Sequence, residues 1–378
     1  MKRSKYILFH FLVFSLFTAS LSNAQNQSVW NKDTCESLSN FLRELHEKKQ
    51  FNGVVLIAED GKIKFHESIG YSNMEEKTKL DNQASFRLAS VSKQFTCMGI
   101  MLLKKQGKLN YDDKVAKYIP SFPYDNITIR HLMHHTSGLP DYMYLMNSKW
   151  DPGKRANQRK IAFNKDMVEM FADQKPKLLF APGEKFQYSN SGYVVLGHLI
   201  ETVSKMPVQA YLASNIFKPL EMNRSHVFSD DARFKPLHRV YGFTYADDEK
   251  GFAPHDYHYL NGMIGDGGIY CSALDLLKWD QALYGEKLVP KSMLDEAFTS
   301  GVLNGGKETG YGFGWGVERT DEKFKVSHSG GWVGFITYIG RNISEKQTVI
   351  ILTNHSSRFM NKVRKKIADL SKPHSSLN

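Results

Sequence analysis

The strand-forming stretches of this 378-residue chain lie at its two ends, around a middle that reads as helical. Residues 51–59 are almost continuously apolar, Asp60-Gly61 follows, and residues 62–72 return as a second strand-like run. Asp-Gly between two such runs is a strong hairpin signal, because both turn residues must take positive φ. Near the other end, residues 312–318, 323–328, 332–340 and 348–353 read as strands, the last two joined by a loop at 342–347. A hairpin at the start and strands at the end point to one sheet built from both ends of the chain.

The helical pattern fills the rest. Leu38, Phe41, Leu42 and Leu45 give residues 25–50 the spacing of an amphipathic arm. Residues 92–106 read as an apolar helix stopped by Gly107. Tyr193, Leu196, Leu199, Ile200 and Val203 mark another helix, and Ser272-Ala273-Leu274-Asp275 opens one whose apolar face is Leu276, Leu277, Trp279 and Leu283. A closing helix spans 358–370. Between about 120 and 260, short helical pieces alternate with Pro-, Gly-, Asn- and Asp-rich loops. The expected fold class is α/β, an antiparallel sheet flanked by helices, with an inserted, mostly helical subdomain. As one composite domain over 25–378, the sheet part would take 25–119 and 261–370, and the helical part 120–260.

Residues 1–24 read as a secretory signal. Lys2, Arg3 and Lys5 precede an apolar run at 6–17, and Ser22-Asn23-Ala24 offers small residues for cleavage before Gln25. The run is short for a membrane span, so a secreted or periplasmic protein without an integral membrane segment is expected. Losing the three leader charges takes the formal charge from +11 to +8. The basic residues are scattered apart from Arg364-Lys365-Lys366, which argues against a nucleic-acid partner and suits anionic envelope surfaces or substrates. Cys35, Cys97 and Cys271 allow at most one bridge, and Cys97 is expected to pack as a buried thiol.

Chemistry enters at Ser90-Val91-Ser92-Lys93, a hydroxyl and an amine placed to share a helix face. A serine becomes a nucleophile when a base takes its proton, and a neutral lysine amine can do so. Downstream, Tyr188-Ser189-Asn190 stands just before a helix. There a phenol could relay a proton, and an amide could hold a peptide-like substrate. Ser189 or Asn190 could equally be an ordinary helix cap. His328-Ser329-Gly330-Gly331 lies in a strand pattern, where glycines mark a bulge or close approach of a ligand, and an exposed N–H could serve an oxyanion.

In this order the three motifs resemble those of the serine β-lactamases and penicillin-binding D,D-peptidases, in the branch of class C β-lactamases, D,D-carboxypeptidases and related esterases. The segments Ile127-Thr128-Ile129-Arg130-His131-Leu132-Met133-His134-His135-Thr136-Ser137-Gly138-Leu139, Gly267-Gly268-Ile269-Tyr270-Cys271-Ser272 and Tyr311-Gly312-Phe313-Gly314-Trp315 are similar to further stretches of that family. The resemblance covers about residues 45–355. It implies Ser90 as the acylated nucleophile, Lys93 as its base, and Tyr188 as proton donor to the leaving group. Asn190 would bind the substrate amide and fix Lys93, and His328 and Ser329 would hold the carboxylate side. The backbone N–H groups of Ser90 and Gly331, beside Gly330, would form the oxyanion hole.

Many β-lactamases carry lysine where this chain has His328. A histidine is charged only part of the time near neutral pH, which favours peptidase or esterase activity over efficient β-lactam hydrolysis. His131, His134 and His135 have helical spacing but no carboxylate or cysteine at ligand spacing, so they read as part of a structural turn and no metal or other cofactor is expected. His255, Asp256 and His258 belong to a loop expected to rim the cleft. The implied function is an exported, D,D-carboxypeptidase-like serine hydrolase acting on D-amino-acid-containing peptides or related amides, peptidoglycan-derived ones among them. A carboxylesterase or weak class C-like β-lactamase, and a non-hydrolytic penicillin- or peptide-binding protein, are the alternatives. The partner is then a small-molecule or peptide substrate, and a monomer is the default state.

Overall fold

The computed structural model describes residues 28–150, 161–231, 236, 238–245, 251–356 and 359–372; the expected signal lies outside them. Strands β1 (Gly53–Glu59) and β2 (Lys62–Ile69) form the hairpin. Both turn residues have positive φ, 48° at Asp60 and 73° at Gly61, as a two-residue hairpin turn demands. The late strands are β3 (Gly316–Arg319), β4 (Phe324–Trp332), β5 (Phe335–Asn342) and β6 (Gln347–Thr353). They join the hairpin in one six-stranded sheet of order β3-β4-β5-β6-β1-β2. The two ends of the chain meet where β1 pairs antiparallel with β6, from Gly53 opposite Thr353 to Glu59 opposite Gln347.

Two of the boundaries that differ from the sequence reading bear on the expected site. Strand β4 runs straight through Ser329-Gly330-Gly331, because β5 pairs across it, with Thr337 opposite Gly330 and Ile336 opposite Gly331. Ladder pairing overrides the weak strand preference of glycine there. Conversely, residues 312–315 are not strand. Gly314 has φ 79°, and a Cβ on it would sit 2.8 Å from the backbone of Lys93 and Gln94, so this loop is pressed against the expected site.

Helices cover both faces of the sheet. On β1, alternate side chains point to opposite sides. Val55 and Ile57 join a core with Leu38, Leu42 and Leu45 of α1 (Lys32–Glu47) and with Val363 and Ile367 of the closing helix, whereas Val54, Leu56 and Ala58 face the main core. At the centre of that core lies α2 (Lys93–Lys105), buried at every position from Lys93 to Leu103. Against it packs α3 (Asn190–Ser204). The helix α4 (Ala273–Ala282), capped by Ser272, covers β1 and β6, and α5 (Met360–Leu370) closes the chain. All three cysteines are free; Cys97 and Cys271 are buried, and burial pushes the Cys97 thiol up to about 12. A small sheet places Ile269–Cys271 between Phe86–Arg87 and His226–Val227. Among the described residues, no helix is long and apolar enough to cross a membrane.

Among the described residues, one ion pair is wholly inside. Arg341 of β5 donates through Nε to the Asp280 carboxylate of α4, and through Nη2 to the Asp280 carbonyl at 3.1 Å; both side chains have 0% exposure. Removing one partner of a buried pair strands the other charge, at a cost of about 3–5 kcal/mol. Asp280→Ala is therefore expected to lower the urea-unfolding free energy by that amount, and a loss below about 1 kcal/mol would contradict the pairing.

Candidate active site

Ser90 is presented by a strained turn. Ala89 has φ 48°, a left-handed conformation that a Cβ disfavours. Neighbours hold it there. The Leu88 N–H donates to Ile269 O at 2.8 Å, and Thr337 Oγ1 donates to Leu88 O at 2.6 Å. Strand β4 closes in from the other side. A Cβ on Gly330 would lie 2.3 Å from Leu88 O and 3.0 Å from Ser90 N, so only glycine lets the strand come this near. The 3₁₀ turn Ala89–Ser92 then leads into α2. Ser90 is half-buried, whereas Ser92 is fully buried and its hydroxyl accepts from Ile269 N–H at 3.3 Å. Of the two hydroxyls, only that of Ser90 meets Lys93.

The Lys93 amine is buried and has three partners, each from a different segment. Nζ lies 3.0 Å from Ser90 Oγ, 2.9 Å from Asn190 Oδ1 and 2.8 Å from the Asp266 carbonyl. Two of these, the amide oxygen and the carbonyl, can only accept. A neutral amine has two N–H donors and one lone pair. In the neutral form both donors go to Asn190 and Asp266, and the lone pair faces the Ser90 hydroxyl. That is the arrangement in which Lys93 can take the serine proton. Ser189 caps α3 by accepting from Gly192 N–H at 3.3 Å, so the capping role and the aiming of Asn190 belong to one turn.

Tyr188 is 41% exposed, at the mouth of the site, with its ring centroid 4.9 Å from Lys93 Nζ. Beneath it lies a residue that the sequence reading treated only as part of a turn. His135, itself left-handed at φ 58°, is buried with its ring 4.2 Å from that of Tyr188, 4.8 Å from Tyr193 and 4.6 Å from Tyr311. Ser189 N–H donates to its Nδ1 at 3.0 Å. Burial holds this imidazole well below its ordinary value, with Lys93 adding to the effect. The other two histidines of the segment also have structural partners: His131 Nδ1 accepts from Thr128 N–H, and His134 Nδ1 donates to Tyr311 O.

His328 does not carry the part-time charge expected of it. Its Nδ1 lies 2.6 Å from Ser329 O, which can only accept, so Nδ1 holds the proton; Nε2 then accepts from the Tyr311 hydroxyl at 2.8 Å. Burial, reinforced by nearby Lys93, pushes its pKa down to about 3. The ring is neutral near pH 7, and both nitrogens are occupied. Ser329 and Gly331, by contrast, are exposed.

Ser90 stands between two cavities. One, of about 420 Å³, is lined by Tyr188, Tyr311, His328, Ser329 and Arg364. The other, of about 90 Å³, is lined by Arg87, Tyr142, Asn190, Leu260, Asp266 and Trp332. Thus Ser90, Lys93, Tyr188, Asn190, His328, Ser329, Gly330 and Gly331 come together at one cleft. The loop carrying His255, Asp256 and His258 reaches it through Leu260, and the His258 ring stands 5.0 Å from that of Trp332. A larger cavity, about 610 Å³ at Gly61, Arg224 and Lys278, holds none of these residues. Asp266 and Tyr311 were also missed as site residues. Asp266 makes its contact through a main-chain carbonyl, which no side-chain motif reports, and Tyr311 through a hydroxyl bond to His328, 17 residues on, which no local pattern encodes.

The neutral His328 has a consequence for stability. Unfolded, the imidazole returns to about 6.5. Below that pH the unfolded chain takes up a proton that the folded chain refuses down to about pH 3. Stability is therefore full above pH 6.5 and falls as the pH drops towards 3, by up to about 1.4 kcal/mol per pH unit from this group. Urea unfolding at stepped pH should show a shallower acid slope in His328→Gln than in the wild type; an unchanged slope would mean that His328 titrates normally.

A family model described as Beta-lactamase matches residues 38–372. Penicillin-binding protein 4* of Bacillus subtilis (strain 168) is 42% identical over 328 residues, 84% of this chain and 71% of that protein. The crystal structure of a penicillin binding protein from Bacillus halodurans aligns with a TM-score of 0.73 at 27% identity, over 87% of this chain and 98% of that one. An octameric penicillin-binding protein homologue from Pyrococcus abyssi aligns with a TM-score of 0.75 at 26% identity, over 89% and 76%. Over nearly all of its described length, then, the chain belongs to the β-lactamase family and is a serine hydrolase of that family.

Proposed function

We propose that the protein hydrolyses amide bonds in D-amino-acid-containing peptides or related amides of the cell envelope, outside the cytoplasm, through an acyl-enzyme on Ser90. The observation that carries this reading is the placement of Lys93 Nζ 3.0 Å from Ser90 Oγ with its two other contacts fixed on acceptors. Lys93 takes the hydroxyl proton as Oγ attacks the carbonyl carbon. The N–H groups of Ser90 and Gly331 face the oxyanion. Tyr188 hands a proton to the leaving nitrogen, and water then cleaves the Oγ–C bond. The likeness to a penicillin-binding protein supports a substrate with a peptide-like backbone.

One observation favours a second reading. A neutral His328 offers no charge to a terminal carboxylate, so uncharged leaving groups of simple esters and amides would suit that side equally well. The permanent charge in the same cavity belongs to Arg364, exposed on α5 with its guanidinium 4.1 Å from the Tyr338 ring centroid.

A fluorophosphonate should label the folded protein at Ser90, and labelling should vanish in Ser90→Ala but persist in Ser92→Ala; no adduct by intact mass would sink the hydrolase reading. Relative kcat/KM for a D-Ala-D-Ala peptide, a short p-nitrophenyl ester and a cephalosporin then ranks the substrate classes. A preference for the ester over the peptide by more than tenfold would favour the esterase reading. A stable adduct without turnover of any of the three would leave only a binding role.

A further inference from the structure

Arg87 lies three residues before Ser90, on the short strand Phe86–Arg87, and is only 2% exposed. Its Nη2 donates to the Asn261 carbonyl at 3.1 Å. Its Nε and Nη1 are buried without any hydrogen-bond partner, so no nitrogen of this guanidinium bonds a carboxylate. The acids of the adjoining loop make their bonds elsewhere: Asp256 with Arg239 and the Gly242 N–H, and Asp266 with the Tyr142 hydroxyl at 3.0 Å, so that Asp266, which lines the same cavity, acts on Arg87 through space and not through a hydrogen bond. The rings of Phe228 and Tyr270, 5.5 and 5.7 Å from Cζ, steady the guanidinium but bring no counter-charge. A buried cation without a paired anion is costly, and planar guanidinium donors match a carboxylate.

The position of this charge, which no carboxylate bonds, matters. Arg87 lines the cavity of about 90 Å³ that also contains Ser90 and Asn190. Its partner Asn261 accepts from Trp332 Nε1 at 2.8 Å, and Trp332 and Leu260 wall the same cavity. Tyr188 lines the opposite, larger cavity. If Tyr188 protonates the leaving group, that group departs on the larger side, and the acyl group occupies the smaller one. A volume of about 90 Å³ is smaller than the roughly 150 Å³ of an apolar cavity that takes up benzene, which suits a short chain rather than a bulky ring.

We propose that the cavity between Arg87 and Ser90 selects short acyl groups that end in a carboxylate, with the Arg87 guanidinium as the anion's partner. This rests on the acyl-enzyme reading above and names the acyl side of its substrate. For an ester of that kind, the Ser90 Oγ–C bond forms as the ester C–O bond breaks and the alcohol leaves. Water then releases the dicarboxylic acid and returns the proton to Ser90.

The test uses the mature chain and three p-nitrophenyl esters: the hydrogen glutarate, the glutaramate, which replaces the carboxylate by an amide of nearly the same shape, and the acetate, each corrected for its uncatalysed rate. In the wild type, kcat/KM for glutarate should exceed that for glutaramate by at least tenfold, from the general strength of charge-assisted hydrogen bonds. The ratio should fall to about one or below in Arg87→Gln and lie between in Arg87→Lys. Because the ratio is taken within each protein, a lower folded fraction does not move it. If Arg87→Gln does not fold, the wild-type ratio and its change in Arg87→Lys decide. A wild-type ratio near one, with acetate turned over at Ser90, overturns this proposal alone; so does a ratio unchanged by substitution at Arg87. Failure to turn over acetate at Ser90 overturns the hydrolase reading beneath it.

Discussion

Everything at this site depends on one buried amine that must find three partners. Lys93 Nζ is held by Asn190 at the start of α3, by the Asp266 carbonyl and by Ser90. The first two take its N–H donors and leave the remaining contact to the Ser90 hydroxyl. A buried amine lacking those acceptors would be destabilising. The fold therefore has to bring residue 93 together with residues 190 and 266, which are 97 and 173 positions away. The buried course of α2, the packing of α3 against it and the small sheet that anchors Ile269 next to Leu88 all serve that meeting.

The charges are arranged with equal consequence. Histidines that could have titrated near neutrality are kept neutral: His135 inside an aromatic cage, and His328 between Tyr311 and its own strand. Burial also pushes the Asp266 carboxyl up, against the pull of Lys93. Lys93 is thus not surrounded by titrating imidazoles, and permanent positive charge in the cleft comes from arginines, Arg87 on the smaller side of Ser90 and Arg364 on the larger. Close approach is managed by backbone rather than charge. Gly330 lets β4 touch the turn at Leu88, and the left-handed Ala89 turns Ser90 outward at the head of α2.

What the sequence disclosed follows from how far each signal reaches. The hairpin was legible because Asp60-Gly61 encodes its own turn, and the far strands because apolar runs encode theirs. Ser90 and Lys93 were legible together because three residues along one helical turn suffice. Tyr188, Asn190 and His328 are separated from them by long stretches of chain, and only the family resemblance linked them. The strands of the small sheet are two or three residues long, too short for alternation to show. The continuity of β4 through Ser329-Gly330-Gly331 came from its partner β5, not from its own composition. The neutrality of His328 depends on burial and on Tyr311, neither of which a motif contains.

The central claim is that Lys93 acts by accepting the proton of Ser90, not merely by its charge. The most direct measurement is the rate of Ser90 acylation by a fluorophosphonate or an activated ester in Lys93→Arg and Lys93→Met, beside thermal unfolding to confirm the fold. Arginine keeps the positive charge but does not accept a proton in this range. The account predicts that both variants lose at least about 100-fold in acylation rate, the usual scale of general-base catalysis. Near-wild-type acylation in folded Lys93→Arg would contradict it and leave Lys93 an electrostatic role alone.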